Sequence, residues 1–195
     1  FVTPSNPNTS TLFIDRVLLS TKSFGIETII LFNKLDIYSK EDIEYIDELF
    51  NAYTKIGYQC LKISVKKRVN IDKVEKFMNN NVSVFTGHSG VGKTSLMNEL
   101  DSELNLKTSK ISKQNEQGQH TTTFAEMFDL NNGAKIIDSP GIKGFGLIDI
   151  EKSEIGGFFP EIASLSSDCK FNNCLHFNEP NCAIKKALEN NQISN

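Results

Sequence analysis

An α/β fold, with a mostly parallel sheet and helices on both faces, is predicted for this 195-residue chain by three observations. Short apolar runs suited to buried strands alternate with longer stretches of helical periodicity. One such run, residues 82–86, passes through a glycine-rich loop straight into another helical stretch. Asn131-Asn132-Gly133 joins two further strand-like runs and predicts one antiparallel hairpin at the edge of the sheet. Hydrophobic residues are 38% of the chain, enough for a core.

The elements follow in order. Residues 10–24 read as a helix, with Phe13, Ile14, Val17 and Leu18 at helical spacing and Gly25 to close it. Residues 27–32 form a buried parallel strand. Ser39 caps the next helix with Asp42 three positions on, and Ile43, Ile46, Leu49, Phe50 and Tyr53 form its apolar face up to Gly57. A strand is expected at 58–63, a helix at 71–80 and a strand at 82–86. The following helix opens at Lys93 and Thr94 and runs to about Asn105. Residues 106–120 are polar and aperiodic. Strands at 122–130 and 134–137 make the hairpin. A loop with Gly144, Gly146, Gly156 and Gly157 then leads into a cysteine cluster.

Gly87-His88-Ser89-Gly90-Val91-Gly92-Lys93-Thr94 fits G-x4-G-K-[ST] inside the strand–loop–helix frame that a phosphate-binding loop requires. Gly87 and Gly92 let the backbone turn around an anion. The N–H groups of residues 90–95, Ser95 included, point toward a β-phosphate at the helix N-terminus. Lys93 supplies a point charge to the β/γ oxygens and Thr94 a hydroxyl to Mg²⁺. Asp138, ending an apolar strand, holds Mg²⁺ through water, and Gly141 in Asp138-Ser139-Pro140-Gly141 offers its N–H to the γ-phosphate. Thr121, Thr122 and Thr123 are all candidates to close over the metal.

Asn33-Lys34-Leu35-Asp36 fits N-K-x-D, a guanine-reading loop. Guanine shows two donors on one edge, N1–H and the 2-amino group. The Asp36 carboxylate is acceptor-only with two oxygens and matches them. Asn33 donates toward the purine and ties loops together, and the Lys34 stem covers the ring. Ser64 stands in a loop whose backbone N–H meets O6, with Val65 where Ala is usual. In an ordinary GTPase the phosphate loop precedes the base loop; here the order is inverted. A circularly permuted P-loop GTPase fold is therefore expected, using GTP and GDP with Mg²⁺. Ile142 occupies the position where many GTPases place a water-orienting Gln, which predicts slow intrinsic hydrolysis. His120 is the polar candidate to substitute.

Cys169, Cys174, His176 and Cys182 give three sulfur ligands and one nitrogen, a closed set suited to structural zinc. Pro180 is expected to start a helix with Cys182 on its first turn, and Ile184, Ala187 and Leu188 pack back. Cys60 reads as a small core residue. The net charge of −3 argues against a polybasic nucleic-acid binder as a whole. Lys62, Lys66, Lys67 and Arg68 cluster near the base loop, and Lys107, Lys110 and Lys113 lie in the following polar stretch. No apolar run of about 18 residues predicts a membrane span. Both ends read as cuts through a longer protein.

Together, the inverted motif order, the phosphate loop, His120-Thr121-Thr122-Thr123, Asp138-Ser139-Pro140-Gly141 and the Cys/His cluster resemble the ribosome small-subunit-dependent GTPase A family (RsgA/YjeQ). That resemblance spans essentially the whole chain. It implies a cytoplasmic GTPase acting late in assembly of the 30S subunit, contacting 16S rRNA, stimulated by the subunit and monomeric. It also implies an N-terminal OB-fold domain that this chain lacks. A division into a GTPase domain at 1–157 and a zinc-binding segment at 158–195 follows.

Overall fold

The computed structural model describes residues 1–106, 125–139 and 150–193. His120, the three threonines, Gly141 and Ile142 lie outside them.

Ser10 accepts the amide of Phe13 and starts α1 (Thr11–Ser23). β1 (Ile29–Phe32) follows. α2 (Lys40–Lys55) opens with the expected reciprocal cap between Ser39 and Asp42, a device worth about 1 kcal/mol. β2 (Gln59–Lys62) pairs with β1 in parallel. α3 (Ile71–Met78) leads to β3 (Val82–Phe85) and α4 (Lys93–Leu100). The last helix is shorter than the sequence suggests. Asp101 turns to an extended backbone, caps a single 3-10 turn at Ser102–Leu104, and accepts the amide of Asn131 at 3.2 Å. β4 (Glu126–Asp129) and β5 (Lys135–Asp138) form the hairpin, with β5 central between β3, parallel, and β4, antiparallel.

The strands fall into two hydrogen-bonded groups joined at the N-terminus. Val2 bridges to Phe32 in parallel, and the Phe1 amine donates to Thr86 O at 2.9 Å. Because side chains alternate along a strand, β1 feeds two cores. Ile30 and Phe32 pack with Ile14 and Leu18 of α1 and Ile46 and Tyr53 of α2. Leu31 faces the other way, toward Val74 of α3, Leu96 and Met97 of α4, and Ile136 of β5. Helices thus cover both faces.

The segment before the cysteines, read from sequence as a glycine-rich loop, contains α5 (Ile155–Phe158) and α6 (Pro160–Ser166). Pro160 opens α6, where a proline costs no hydrogen bond. α7 spans Ala183–Glu189, and Cys182 is its N-cap, one residue before the first turn. Ile184 and Leu188 pack on the cysteines as expected. Cys60 is half-buried in β2, beside the α1–α2 core.

Tyr53 of α2 donates to Asp15 Oδ1 of α1 at 2.8 Å. Burial raises the Asp15 carboxyl above its ordinary value of 3.8, against the smaller opposing effect of that hydrogen bond. The folded chain therefore holds the Asp15 proton to higher pH than the unfolded chain, and stability is lost as pH rises through the folded value. Asp15→Asn keeps an acceptor for Tyr53 without the charge. At pH 7 it is expected to melt above the unmodified protein, with the gap closing toward pH 4, as read by thermal unfolding across that range.

Candidate functional site

The phosphate loop sits between β3 and α4 and is built from backbone. Gly92, at φ +105°, is the N-cap of α4 and makes no side-chain cap bond. The amides of the first turn are thus left for an incoming anion. Lys93 is buried and donates to Gly87 O at 2.9 Å and His88 O at 3.2 Å. Burial lowers the Lys93 ammonium from its ordinary value, and the charge of Asp138 opposes this. Asp138 ends β5, buried, in register with Phe85. Ser139 Oγ donates to Phe85 O at 2.7 Å and fixes the chain leaving that strand. Thr94 is partly buried and Ser95 exposed on the first turn of α4. The ring of His88 lies on Phe13 of α1, centroids 4.3 Å apart.

The base loop leaves β1. Asp36 is held by Ser64, whose Oγ donates to Asp36 Oδ1 at 2.6 Å and accepts the Lys67 amide at 3.2 Å. Ser64 therefore acts through its hydroxyl. Its own N–H is given to Val69 O at 3.3 Å. Lys34 adopts a left-handed backbone and its ammonium donates to Asn6 O. The Asn6 loop is braced in turn by Thr3 and Thr9, both buried. No sequence motif signals this brace, because it depends on a backbone carbonyl. Burial lowers the Lys34 ammonium, opposed by the Asp36 charge.

One side chain joins everything. Asn33, 2% exposed, donates from Nδ2 to Val91 O at 2.9 Å and accepts the Val65 amide on Oδ1 at 3.4 Å. The base loop, the loop after β2 and the phosphate loop thus meet at one residue. The segments that carry the sequence-predicted residues 33, 34, 36, 64 and 87–95, well separated along the chain, converge here.

The cations near the base loop are partly engaged. Lys62 pairs with Asp47 and lies 4.5 Å from the centroid of the Phe50 ring; Arg68 pairs with Glu99. Lys66 and Lys67 are exposed. No helix among the described residues is long and apolar enough to cross a membrane.

At the other end, one ligand atom each from Cys169, Cys174, His176 and Cys182 lies within 4.8 Å of all the others. A tetrahedral ion with bonds of about 2.0–2.3 Å holds its donors somewhat under 4 Å apart. The cluster fits such an ion after a contraction of at most about 1 Å. The Ala183 amide already points at Cys169 Sγ, 3.4 Å away.

Residues 1–148 match the model of the RsgA GTPase family. The chain belongs to that family. A family member from Flavobacterium johnsoniae, named a small ribosomal subunit biogenesis GTPase, is 53% identical over 99% of this chain. Another of the same name, from Bacteroides fragilis, is 48% identical over 99%. This chain spans 59% and 62% of their lengths. Among solved structures, YjeQ from Thermotoga maritima superposes with a TM-score of 0.82 at 30% identity, covering 99% of this chain and 64% of that one. YloQ, described as a circularly permuted GTPase, gives 0.75 at 30% identity, covering 98% and 60%. The chain thus has the circularly permuted GTPase fold that its inverted motif order predicts.

Proposed function

We propose that this chain is the GTP-hydrolysing part of a factor that acts in small (30S) ribosomal subunit assembly. Residues 1–157 form the nucleotide domain and 158–195 a zinc-bearing segment. The observation that carries the nucleotide reading is Asn33 bonded to Val91 O and to the Val65 amide. A carboxylate able to read guanine is thereby fixed against a loop able to hold phosphate. The relatives' names carry the ribosomal part.

In this reading Asp36 accepts from guanine N1–H and the 2-amino group, with Ser64 fixing the carboxylate's rotation. The first-turn amides of α4 and Lys93 hold the β/γ-phosphates. To do so Lys93 turns part of its donor capacity from the Gly87 and His88 carbonyls to the nucleotide. Thr94 and Asp138 are the residues that would hold magnesium, which when bound neutralises phosphate charge. Gly141 gives an amide to the γ-phosphate. The attacking water is oriented by His120 or by the ribosomal partner, since Ile142 has no polar group for it. The subunit's rRNA is the proposed stimulating surface, with Lys66 and Lys67 free to meet phosphate.

Ile142 also favours a second reading, a nucleotide-gated binding module in which hydrolysis is incidental. Phosphate release by the full-length protein, measured with and without 30S subunits, separates the two. The enzyme reading expects multiple turnovers that rise at least about tenfold with subunits. A single turnover or less, unaffected by subunits, supports the switch.

A further inference from the structure

The imidazole of His176 is held on the side away from the thiols by Ser166, which is not one of the four candidate ligands. Nδ1 of the ring faces the thiols, 3.4 Å from Cys182 Sγ and 3.7 Å from Cys169 Sγ. Nε2 faces the other way, 3.4 Å from Ser166 Oγ at the end of α6. The Ser166 hydroxyl has already committed its proton, to Ile162 O one turn back at 2.7 Å. Only its lone pairs remain for the ring. An acceptor at that point requires the imidazole proton on Nε2, and Nδ1 is then bare on the side where the sulfurs lie. The Gly156 backbone walls the ring here: a Cβ on Gly156 would come 3.6 Å from His176 Nε2.

The backbone of His176 needs support as well. It adopts φ +63°, left-handed and unfavourable for a residue with a Cβ. The turn is held by one carboxylate. Glu179 Oε1 accepts the Leu175 amide at 2.9 Å, and Oε2 accepts those of Phe177 at 2.9 Å and Asn178 at 3.0 Å. The amides on both sides of His176 therefore converge on a single side chain.

We propose that Ser166 and Glu179 are positioning residues of the metal centre. Ser166 selects the tautomer that presents Nδ1 to the ion, and Glu179 holds the 175–178 turn that carries the ring there. This rests on reading the cluster as a metal site. Partners of this kind typically change metal affinity about 10–100-fold.

The test uses the full-length protein. Zinc content is measured first, then zinc affinity by competition with a chromogenic chelator, then the histidine tautomer by ¹⁵N shifts. An unmodified protein that purifies without metal and takes up none sinks the metal reading itself. If it binds zinc, Ser166→Ala is expected to weaken binding about tenfold or more. Ser166→Thr, which keeps the oxygen, is expected to restore it, and the metal-free alanine variant to lose its bias toward the Nε2–H form. Glu179→Ala is expected to weaken zinc at least as much, with Glu179→Gln between, since one amide oxygen replaces two. GDP binding at the nucleotide site reports that each variant is folded. Alanine variants that hold zinc within twofold of the unmodified protein, or a threonine variant that fails as alanine does, overturn the proposal.

Discussion

Asp36→Asn is expected to invert the purine preference of the chain. The carboxylate has two acceptor oxygens for the two donors of guanine. Asparagine has one acceptor and one donor, which suits xanthine, where a carbonyl replaces the 2-amino group. Ser64 adds direction, because its hydroxyl donates to Oδ1 and keeps that atom the acceptor. The variant is expected to lose at least about 10²-fold in GDP affinity and to bind XDP better than GDP. Competition against a fluorescent guanine nucleotide reads both numbers. Unchanged GDP affinity would mean that Asp36 does not touch the base. The fold is expected to survive, since Asp36 is half-exposed and Asn still accepts from Ser64.

Gly92→Ala is expected to cost more. At φ +105° any side chain is strained, and a Cβ there falls inside the van der Waals envelope of Asn33 Nδ2. Asn33 must move, giving up its bond to Val91 O and with it the link between the phosphate and base loops. Backbone strain and a broken buried hydrogen bond together predict a loss on the order of 3 kcal/mol in stability. Guanine nucleotide binding is expected to fall below detection. The steric share is separable from the strain. In an Asn33→Ala background the Cβ has room, so the two substitutions should be non-additive by at least about 1 kcal/mol. Additive effects in urea unfolding would show that the two loops are energetically independent.

Much of this was legible because it is local. The Ser39–Asp42 cap, the Asn-Asn-Gly turn and the strand feeding Gly87 are set by neighbours within a few residues. The two motifs also predict that the base loop and the phosphate loop meet, and Asn33 bonded to Val91 O brings them together. Non-local features were harder to read. α4 ends early because Asp101 caps the turn after it and reaches Asn131. α6 was hidden because its seven residues follow paired glycines and too little apolar periodicity separates it from a loop. Ser64's hydroxyl role, the Lys34–Asn6 contact and the Ser166–His176 pair all depend on where distant segments meet. The division of labour within the sheet was likewise invisible: Phe1 and Val2 link the two strand groups, Val2 through Phe32 and Phe1 through Thr86, and both partners lie far along the chain.

A crystal structure of the chain with GDP and magnesium addresses the joint pocket most directly. The expected map shows one nucleotide, its guanine edge on the Asp36 carboxylate and its β-phosphate against the amides of residues 90–95 with Lys93 turned toward it. A nucleotide whose phosphates fill that loop while its base lies away from Asp36, or one bound elsewhere altogether, would contradict the account.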